Sequence, residues 1–350
     1  MHIKTILSLI VFSFATHSYA SPVPKLESSV EYLPIIFAVS GPELSADEIA
    51  FFEKYHPVGT ILSLWNVELD GKNNVNREKL RQLCDAIHRY SPHILIDQEG
   101  GRIQHLQGAN CYNAPAPGTF AKGVTKDNLK EKSEILRQNV ASIDRDLREF
   151  GFDINCAPLC DLLSENIPSF IGDRSFGTDP ATVCSHAVTW VKQAATDGVI
   201  SVLKHCPGHG CTVGDSQKEL PEVKKSLSDL EQSDFKIFKD VIHTLYDDGI
   251  DKNSFWIMTS HILYSAIDPD HCATQSPKII SMIREDFGFQ GKIVSDCITM
   301  GALRGELWER AIAALEAGCD YVLCVDYNSK QKKLIAEKVT EYLASKKGGN

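Results

Sequence analysis

Eight short apolar segments recur along the chain, with amphipathic stretches between them, and this alternation limits the folds that the chain can adopt. The segments are rich in Ile, Val and Leu and are apolar on both faces, which is typical of parallel strands covered by helices. The predicted strands are residues 35–40, 58–64, 93–99, 152–158, 199–205, 255–261, 292–296 and 320–325.

The stretches between the strands have the apolar spacing of helices. Leu80, Leu83, Cys84 and Ile87 follow the i, i+3, i+4, i+7 pattern, and so do Leu136, Val140, Ile143 and Leu147, after which Gly151 is a suitable C-cap. Asp179 and Pro180 have the character of an N-cap and a first helical residue, in a helix that ends near Gly198. Eight strands with intervening helices predict a (β/α)₈ TIM-type barrel of the α/β class. A doubly wound open sheet is the competing fold.

The N-terminus resembles an export signal. Lys4 supplies a positive charge, residues 6–15 are apolar, and Ser18-Tyr19-Ala20 form a small-x-small cleavage site. A buried N-terminal helix and an uncleaved anchor are the alternatives, but the apolar run is shorter than the roughly 20 residues that span a bilayer. We expect a signal peptide over residues 1–20, a single barrel domain over residues 21–350, no membrane span, and export to the periplasm or the extracellular space.

Charge and cysteine usage exclude some classes of function. The formal net charge is −10 and no basic stripe is present, which argues against nucleic acid as a partner. The chain has 11 cysteines, an odd number, and their spacing does not predict a metal site. We expect most of them to be buried thiols, with one or two disulfides possible in an oxidising compartment.

Polar residues cluster where the predicted strands end. The clusters are Asp97-Gln98-Glu99, Asp161, Lys204-His205, Ser260-His261 and Ser295-Asp296. Barrel enzymes build their active sites at this carboxyl face, from the loops that follow the strands. The sequence therefore predicts an active site there.

Each cluster also permits a structural interpretation. Asp97 to Arg102 could bind sugar hydroxyls or form a tight turn with an internal ion pair, and Arg174 could bind a ligand or lie on an exposed loop. Lys204 and His205 favour a functional role, since a buried lysine is costly. Asp296 suits a glycosidase nucleophile, although it could equally cap the following helix.

Together these motifs resemble glycoside hydrolase family 3, in its β-N-acetylhexosaminidase type. The resemblance is carried by D-Q-E-G-G-R at 97–102, G-D-R-S-F-G at 172–177, K-H-C-P-G-H-G at 204–210 and S-D at 295–296. It implies a retaining mechanism with Asp296 as the nucleophile and no metal or organic cofactor. It also implies that Asp97, Arg174, Lys204 and His205 bind the terminal N-acetylglucosamine, and that Asp215 orients the acid/base residue.

Two positions depart from the family pattern. Gln217 stands where the family has its acid/base histidine, and His105 stands where many relatives have a sugar-binding arginine. An amide cannot deliver a proton, and general acid/base assistance is typically worth about 10²- to 10⁴-fold. Glu219, His209, the substrate itself or an exogenous anion could replace the histidine.

The function predicted from these features is that of an exported β-N-acetylhexosaminidase. It would act on N-acetylglucosamine-containing glycans such as peptidoglycan fragments, with Asp215 and either Glu219 or His209 serving the acid/base step. A sugar-binding barrel without turnover is the alternative from another class, because the sugar site is retained while Gln217 replaces the acid. A related transferase or phosphorylase that uses an anion is a third possibility.

Overall fold

The computed structural model describes residues 30–164, 169–210, 212 and 214–348. Eight parallel strands form the main sheet of this part of the chain. They are β1 (Leu33–Ala38), β2 (Pro57–Leu62), β3 (His93–Ile96), β4 (Ile154–Asn155), β5 (Ile200–Cys206), β6 (Phe255–Thr259), β7 (Ile293–Val294) and β8 (Val322–Cys324). The predicted signal peptide lies outside the described residues.

The sheet closes on itself. Its strand order is β7-β6-β5-β4-β3-β2-β1-β8, and β7 then meets β8 through a parallel bridge between Val294 and Tyr321. The amide of Ser295 donates to the carbonyl of Tyr321 at 3.0 Å, which continues this contact. The predicted (β/α)₈ barrel is confirmed, and the open sheet is excluded because both edge strands are paired.

A longer helix follows each strand. These helices are α1 (Ala46–Tyr55), α2 (Arg77–Ile87), α3 (Leu129–Phe150), α4 (Pro180–Asp197), α5 (Asp234–Asp247), α6 (Pro277–Glu285), α7 (Leu307–Ala317) and α8 (Ser329–Lys347). Shorter helical turns include Gly118–Ala121, Gly172–Arg174 and Leu227–Gln232.

The predicted helix caps are present in the structure. The Asp179 side chain accepts a hydrogen bond from the amide of Thr182, and Pro180 opens α4. Gly151 and Gly198 take left-handed conformations at the ends of α3 and α4, with φ of 93° and 78°. These caps fix where each helix stops and the chain turns back into the barrel.

Alternate residues of the strands build two cores. On β1, Ile36 and Ala38 belong to the cluster inside the barrel, whereas Ile35 and Phe37 pack against the helices. The inner cluster also contains Leu95, Val202, Trp256, Met258 and Val294. This filling leaves the carboxyl ends of the strands as the place where polar side chains can converge.

Seven of the eight strands end before the predicted residue, whereas β5 extends one residue further, to Cys206. The prediction for β4 reached residue 158, but only Ile154 and Asn155 pair in the sheet, and the chain then passes through a cis Ala157–Pro158 bond. Residues 98–100 leave β3 and pair with residues 103–104 in a separate hairpin. Apart from Lys204 and His205, which lie within β5, the polar residues at the predicted strand ends are therefore loop residues around the barrel mouth.

Ten cysteines lie in the described part of the chain, and all ten are free thiols. Seven of them are buried, as predicted, and none of these ten forms a disulfide bond. In the same ranges, no helix is long and apolar enough to span a bilayer.

Candidate active site

Four charged side chains form a chain of ion pairs at the barrel mouth. Lys204 Nζ lies 2.6 Å from Asp97 Oδ1 and 2.6 Å from Glu99 Oε1. Arg174 then holds Glu99 through two hydrogen bonds of 2.8 Å, from Nε and Nη2. We call Asp97, Lys204, Glu99 and Arg174 the charge ladder. Three different strand ends thus supply one site, as the sequence predicted for Asp97, Arg174 and Lys204.

The ladder is buried except at one end. The side chains of Lys204 and Glu99 are 2% and 0% exposed, whereas that of Asp97 is 29% exposed. Burial would lower the pKa of Lys204, but Asp97 and Glu99 hold it above its usual value. Burial would likewise raise the pKa of Asp97, but Lys204 outweighs it and keeps this pKa low. Asp97 is therefore an ionised and accessible hydrogen-bond acceptor, suited to a sugar hydroxyl.

Two glycines shape the turn that carries Asp97 and Glu99. Gly100 has φ of 101°, and a Cβ atom there would lie 2.4 Å from the carbonyl oxygen of Pro115. Gly101 has φ of 59°, and a Cβ atom there would lie 2.6 Å from Cβ of Ala116. Only glycine allows this close approach, which is why the D-Q-E-G-G-R motif has the glycines it has.

A buried carboxylate positions the two histidines of the β5 loop. Asp161 Oδ2 lies 2.7 Å from His205 Nδ1, and its Oδ1 accepts from the amide of His209 at 2.7 Å. Burial would raise the pKa of Asp161, but His205 reverses that effect and lowers it. This partner fixes the ring of His205 and leaves its Nε2 for a ligand.

His209 is enclosed by its own loop. Its Nδ1 lies 2.9 Å from Thr212 Oγ1, and its Nε2 lies 3.0 Å from Ser216 Oγ. Burial lowers its pKa, and His205 lowers it further. Both ring nitrogens are engaged in the loop, so in this conformation His209 holds the loop rather than facing a substrate.

Asp296 follows β7 and adjoins the same interior as the charge ladder. It is partly exposed, and its Oδ1 accepts from the amide of Cys297 at 2.7 Å. Asp97 and Asp296 follow the parallel strands β3 and β7, which are four strands apart in the closed barrel, so both lie at its carboxyl end.

The loop that carries Gln217 is docked on the loop after β7. The amides of Gly301 and Ala302 donate to the carbonyls of Gln217 at 2.9 Å and Ser216 at 3.1 Å. Asp215 Oδ1 in turn accepts from the amide of Gln217 at 3.0 Å. The Gln217 side chain is exposed. The backbone thus holds the loop against the segment that follows Asp296, while the side chain at position 217 is exposed to solvent.

The other candidates for the acid/base step differ in exposure. Asp215 is partly buried and pairs with Lys218 at 3.3 Å. Glu219 is exposed, and its amide donates to the carbonyl of Asp215 at 3.1 Å. The catalytic roles of Asp215, Glu219, His209 and Asp296 stay predictions.

Sequence reasoning did not assign roles to Glu99 and Asp161, although both lie in the polar clusters that it singled out. Glu99 joins Lys204 to Arg174, and Asp161 positions His205 and His209. The sequence could have indicated the role of Glu99, because side chains two residues apart in an extended strand lie on the same face. Asp97 and Glu99 therefore share a side, whereas Gln98 between them accepts from the amides of His105 and Leu106.

Comparison with known proteins places this site in a family. The family described as the glycosyl hydrolase family 3 N terminal domain matches residues 39–346. A β-hexosaminidase of Alkalilimnicola ehrlichii is 34% identical over 302 residues, which cover 84% of this chain and 81% of the relative. A β-hexosaminidase of Neisseria meningitidis is 35% identical over 258 residues, 72% of this chain and 68% of the relative.

A solved structure agrees with this placement. NagZ from Neisseria gonorrhoeae, in complex with N-trifluoroacetyl-D-glucosamine, superposes with a TM-score of 0.77 at 29% identity. The match covers 89% of this chain and 86% of that one. The chain therefore belongs to glycosyl hydrolase family 3, and it is a glycosidase homologue of the β-hexosaminidase type.

Proposed function

We propose that the chain is an exported β-N-acetylhexosaminidase that removes terminal N-acetylglucosamine from glycans such as peptidoglycan fragments. The observation that carries the proposal is the charge ladder, whose accessible end, Asp97, lies at the same carboxyl end of the barrel as Asp296. The names of the relatives and the glucosamine derivative bound to the gonococcal protein support the choice of sugar.

In the proposed mechanism, the charge ladder and His205 hold the terminal sugar. Asp97 accepts from a hydroxyl, and Arg174, Lys204 and His205 supply donors around the ring. Asp296 attacks the anomeric carbon, the bond to the leaving oxygen breaks, and a covalent glycosyl-enzyme forms. Water then attacks that intermediate and releases the sugar with retained configuration.

The leaving oxygen needs a proton, and Gln217 cannot supply one. Glu219 suits this step better than His209, because its carboxyl group is exposed on the same loop. His209 would first have to release its hydrogen bonds to Thr212 and Ser216. In this proposal Asp215 positions the loop, and Glu219 serves as acid and then as base.

Hydrolysis of two substrates with different leaving groups tests the proposal. Dinitrophenolate departs from a dinitrophenyl β-N-acetylglucosaminide without protonation, whereas the methoxy group of the methyl glycoside must be protonated by an acid as it leaves. We expect turnover of the activated substrate, its loss in Asp296→Asn, and full activity in Asp240→Asn, which changes a carboxylate on the outer helix α5. Turnover of the methyl glycoside, reduced by Glu219→Gln, would add support for Glu219 as the acid.

The same assay separates the alternatives. No turnover of either glycoside, together with binding of N-acetylglucosamine, would make the chain a sugar-binding barrel. A rate that rises with phosphate concentration would indicate a phosphorylase. Export is tested independently, because the protein recovered outside the inner membrane should begin at Ser21.

A further inference from the structure

Exposed apolar side chains are concentrated at the barrel mouth. Eight large hydrophobic side chains of the described residues are exposed, and five of them lie in loops that follow strands rather than on the outer helices. These five are Leu64, Trp65, Leu69, Leu220 and Tyr327. Single exposed hydrophobic residues are ordinary, but a group on one face indicates a binding surface.

Two neighbouring loops bring three of these side chains together. Leu64 and Trp65 follow β2 and are 41% and 71% exposed, and Tyr327 follows β8 and is 40% exposed. The hydroxyls of Ser63 and Tyr327 lie 3.4 Å apart, so the two loops touch. We call Leu64, Trp65 and Tyr327 the aromatic rim.

The aromatic rim adjoins the charge ladder through His105. The amide of Leu64 donates to His105 Nδ1 at 3.3 Å. The amide of His105 in turn donates to Gln98 Oε1 at 2.9 Å, and Gln98 follows Asp97 directly in the chain. The rim therefore borders the end of the ladder where Asp97 is accessible.

The loop that presents Trp65 is held firmly. The side-chain amide of Asn66 donates to the carbonyls of Val39 and Gly41, both at 2.9 Å, and its oxygen accepts from the amide of Ser63 at 2.8 Å. Asn66 itself is buried, at 1% exposure. A rigid backbone that holds an indole in solvent is prepared for a ligand, because little ordering entropy remains to be lost on binding.

There is space beside the rim for a chain that continues outward. Leu64 also lines a depression of about 650 Å³, together with Leu69, Leu106 and Gln107. The segment that presents the rim, Ser63 to Val67, carries no charged side chain. The rim is thus suited to a neutral group with an apolar face and polar edges, and Arg102, which also lines the depression, adds a charged donor beside it.

We propose that the aromatic rim is a subsite for the sugar ring on the leaving-group side of the scissile bond. This rests on the proposed hydrolase function, in which the terminal sugar fills the pocket at the charge ladder. The next ring must then leave through the barrel mouth, past Asp97 and His105. A pyranose offers C–H groups on its face to an indole or a phenol ring, and hydroxyls at its edges to solvent. The preferred substrates are accordingly disaccharides or longer glycans, not simple glycosides.

The test compares N,N′-diacetylchitobiose with the methyl glycoside in Trp65→Ala. Truncating a tryptophan against which a ligand packs typically costs about 5- to 30-fold in binding. We expect kcat/KM for chitobiose to fall by that factor, with the value for the methyl glycoside changed less than twofold. Trp65→Phe should restore most of the loss. Leu334→Ala, which shortens an exposed side chain on the outer helix α8, should change neither.

Binding measurements distinguish failure of the subsite from failure of the hydrolase. By calorimetry, the Asp296→Asn chain, which should not hydrolyse the sugar, should bind chitobiose more tightly than N-acetylglucosamine, and adding Trp65→Ala should remove the difference. Those results would support the subsite even in a chain without turnover. Equal affinity for the two sugars, or an equal loss for both in Trp65→Ala, would overturn the subsite while leaving measured hydrolysis intact.

Discussion

Replacement of Lys204 by methionine is the most informative change to the charge ladder. The ammonium group lies between two carboxylates at 2.6 Å, and its side chain is 2% exposed. Without it, Glu99 keeps the two hydrogen bonds from Arg174. Asp97 loses the ion pair that holds its pKa down against burial. The variant therefore leaves a charge near the barrel mouth without its partner.

The expected loss of stability follows from that arrangement. Removing one partner of a buried ion pair typically costs about 3–5 kcal/mol. At an unfolding entropy of about 2.1 cal/mol/K per residue, the roughly 310 described residues give about 0.65 kcal/mol/K. The melting temperature should fall by about 5–8 °C at pH 7.5. In wild type the lowered pKa values of Asp97 and Glu99 contribute stability that is fully present above about pH 4 and is lost as pH falls below that value, so the penalty should shrink only below about pH 4.

Thermal melting at pH 7.5 and at about pH 3 measures this effect, with Lys332→Met as the matched control. Lys332 is also buried, and it pairs with Glu48 at 3.6 Å. Glu48 retains four hydrogen bonds from Ser40 and Ser45 without it. We therefore expect a smaller loss in Lys332→Met. Equal losses in the two variants, or a Lys204→Met penalty that is the same at both pH values, would refute the reasoning.

Three further changes probe other parts of the molecule. Gln217→His places an imidazole beside Asp215, so in the Glu219→Gln background, which lacks the proposed acid, turnover of the methyl glycoside should rise by about 10²- to 10⁴-fold with the dinitrophenyl glycoside little changed; equal acceleration of both would contradict this. Gly301→Ala puts a Cβ atom 2.8 Å from the carbonyl of Gln217, so kcat/KM should fall about 10- to 100-fold and proteolysis of the displaced loop should quicken. Burial and the nearby Asp197 raise the pKa of Asp144, so wild type should lose stability as pH rises above about 4. Asp144→Asn should remove that dependence, which melting curves between pH 4 and pH 7 would detect.

The strands and helices were predictable because their signals are local. A buried parallel strand requires an apolar run, and a helix end requires a cap such as Gly151 or Asp179. The carboxyl ends of the strands were less predictable, since a residue such as Asp97 is both the end of a strand and the start of a loop. Hydrogen bonding between strands, which sequence periodicity does not report, decides where pairing stops.

The site was predictable as a set of strand ends but not as a network. Asp97, Arg174 and Lys204 were expected together, and the structure joins them through Glu99. Glu99 and Asp161 act on other side chains, so their roles depend on distances across the barrel. The position of the Gln217 loop depends likewise on its docking to Gly301, more than eighty residues away in sequence. Such contacts join residues that are far apart in sequence, so they are recognised only from the folded barrel.

Trapping of the glycosyl-enzyme tests the proposed mechanism most directly. The chain would be mixed with the dinitrophenyl N-acetylglucosaminide, quenched in acid, digested and analysed by mass spectrometry. The mechanism predicts one N-acetylglucosaminyl group on the peptide that contains Asp296, and no such adduct in Asp296→Asn. Because the departing phenolate needs no proton, Gln217 does not prevent this step. Turnover of the substrate with the adduct on another carboxylate, or with an unmodified Asp296 peptide under conditions in which the intermediate accumulates, would contradict the mechanism.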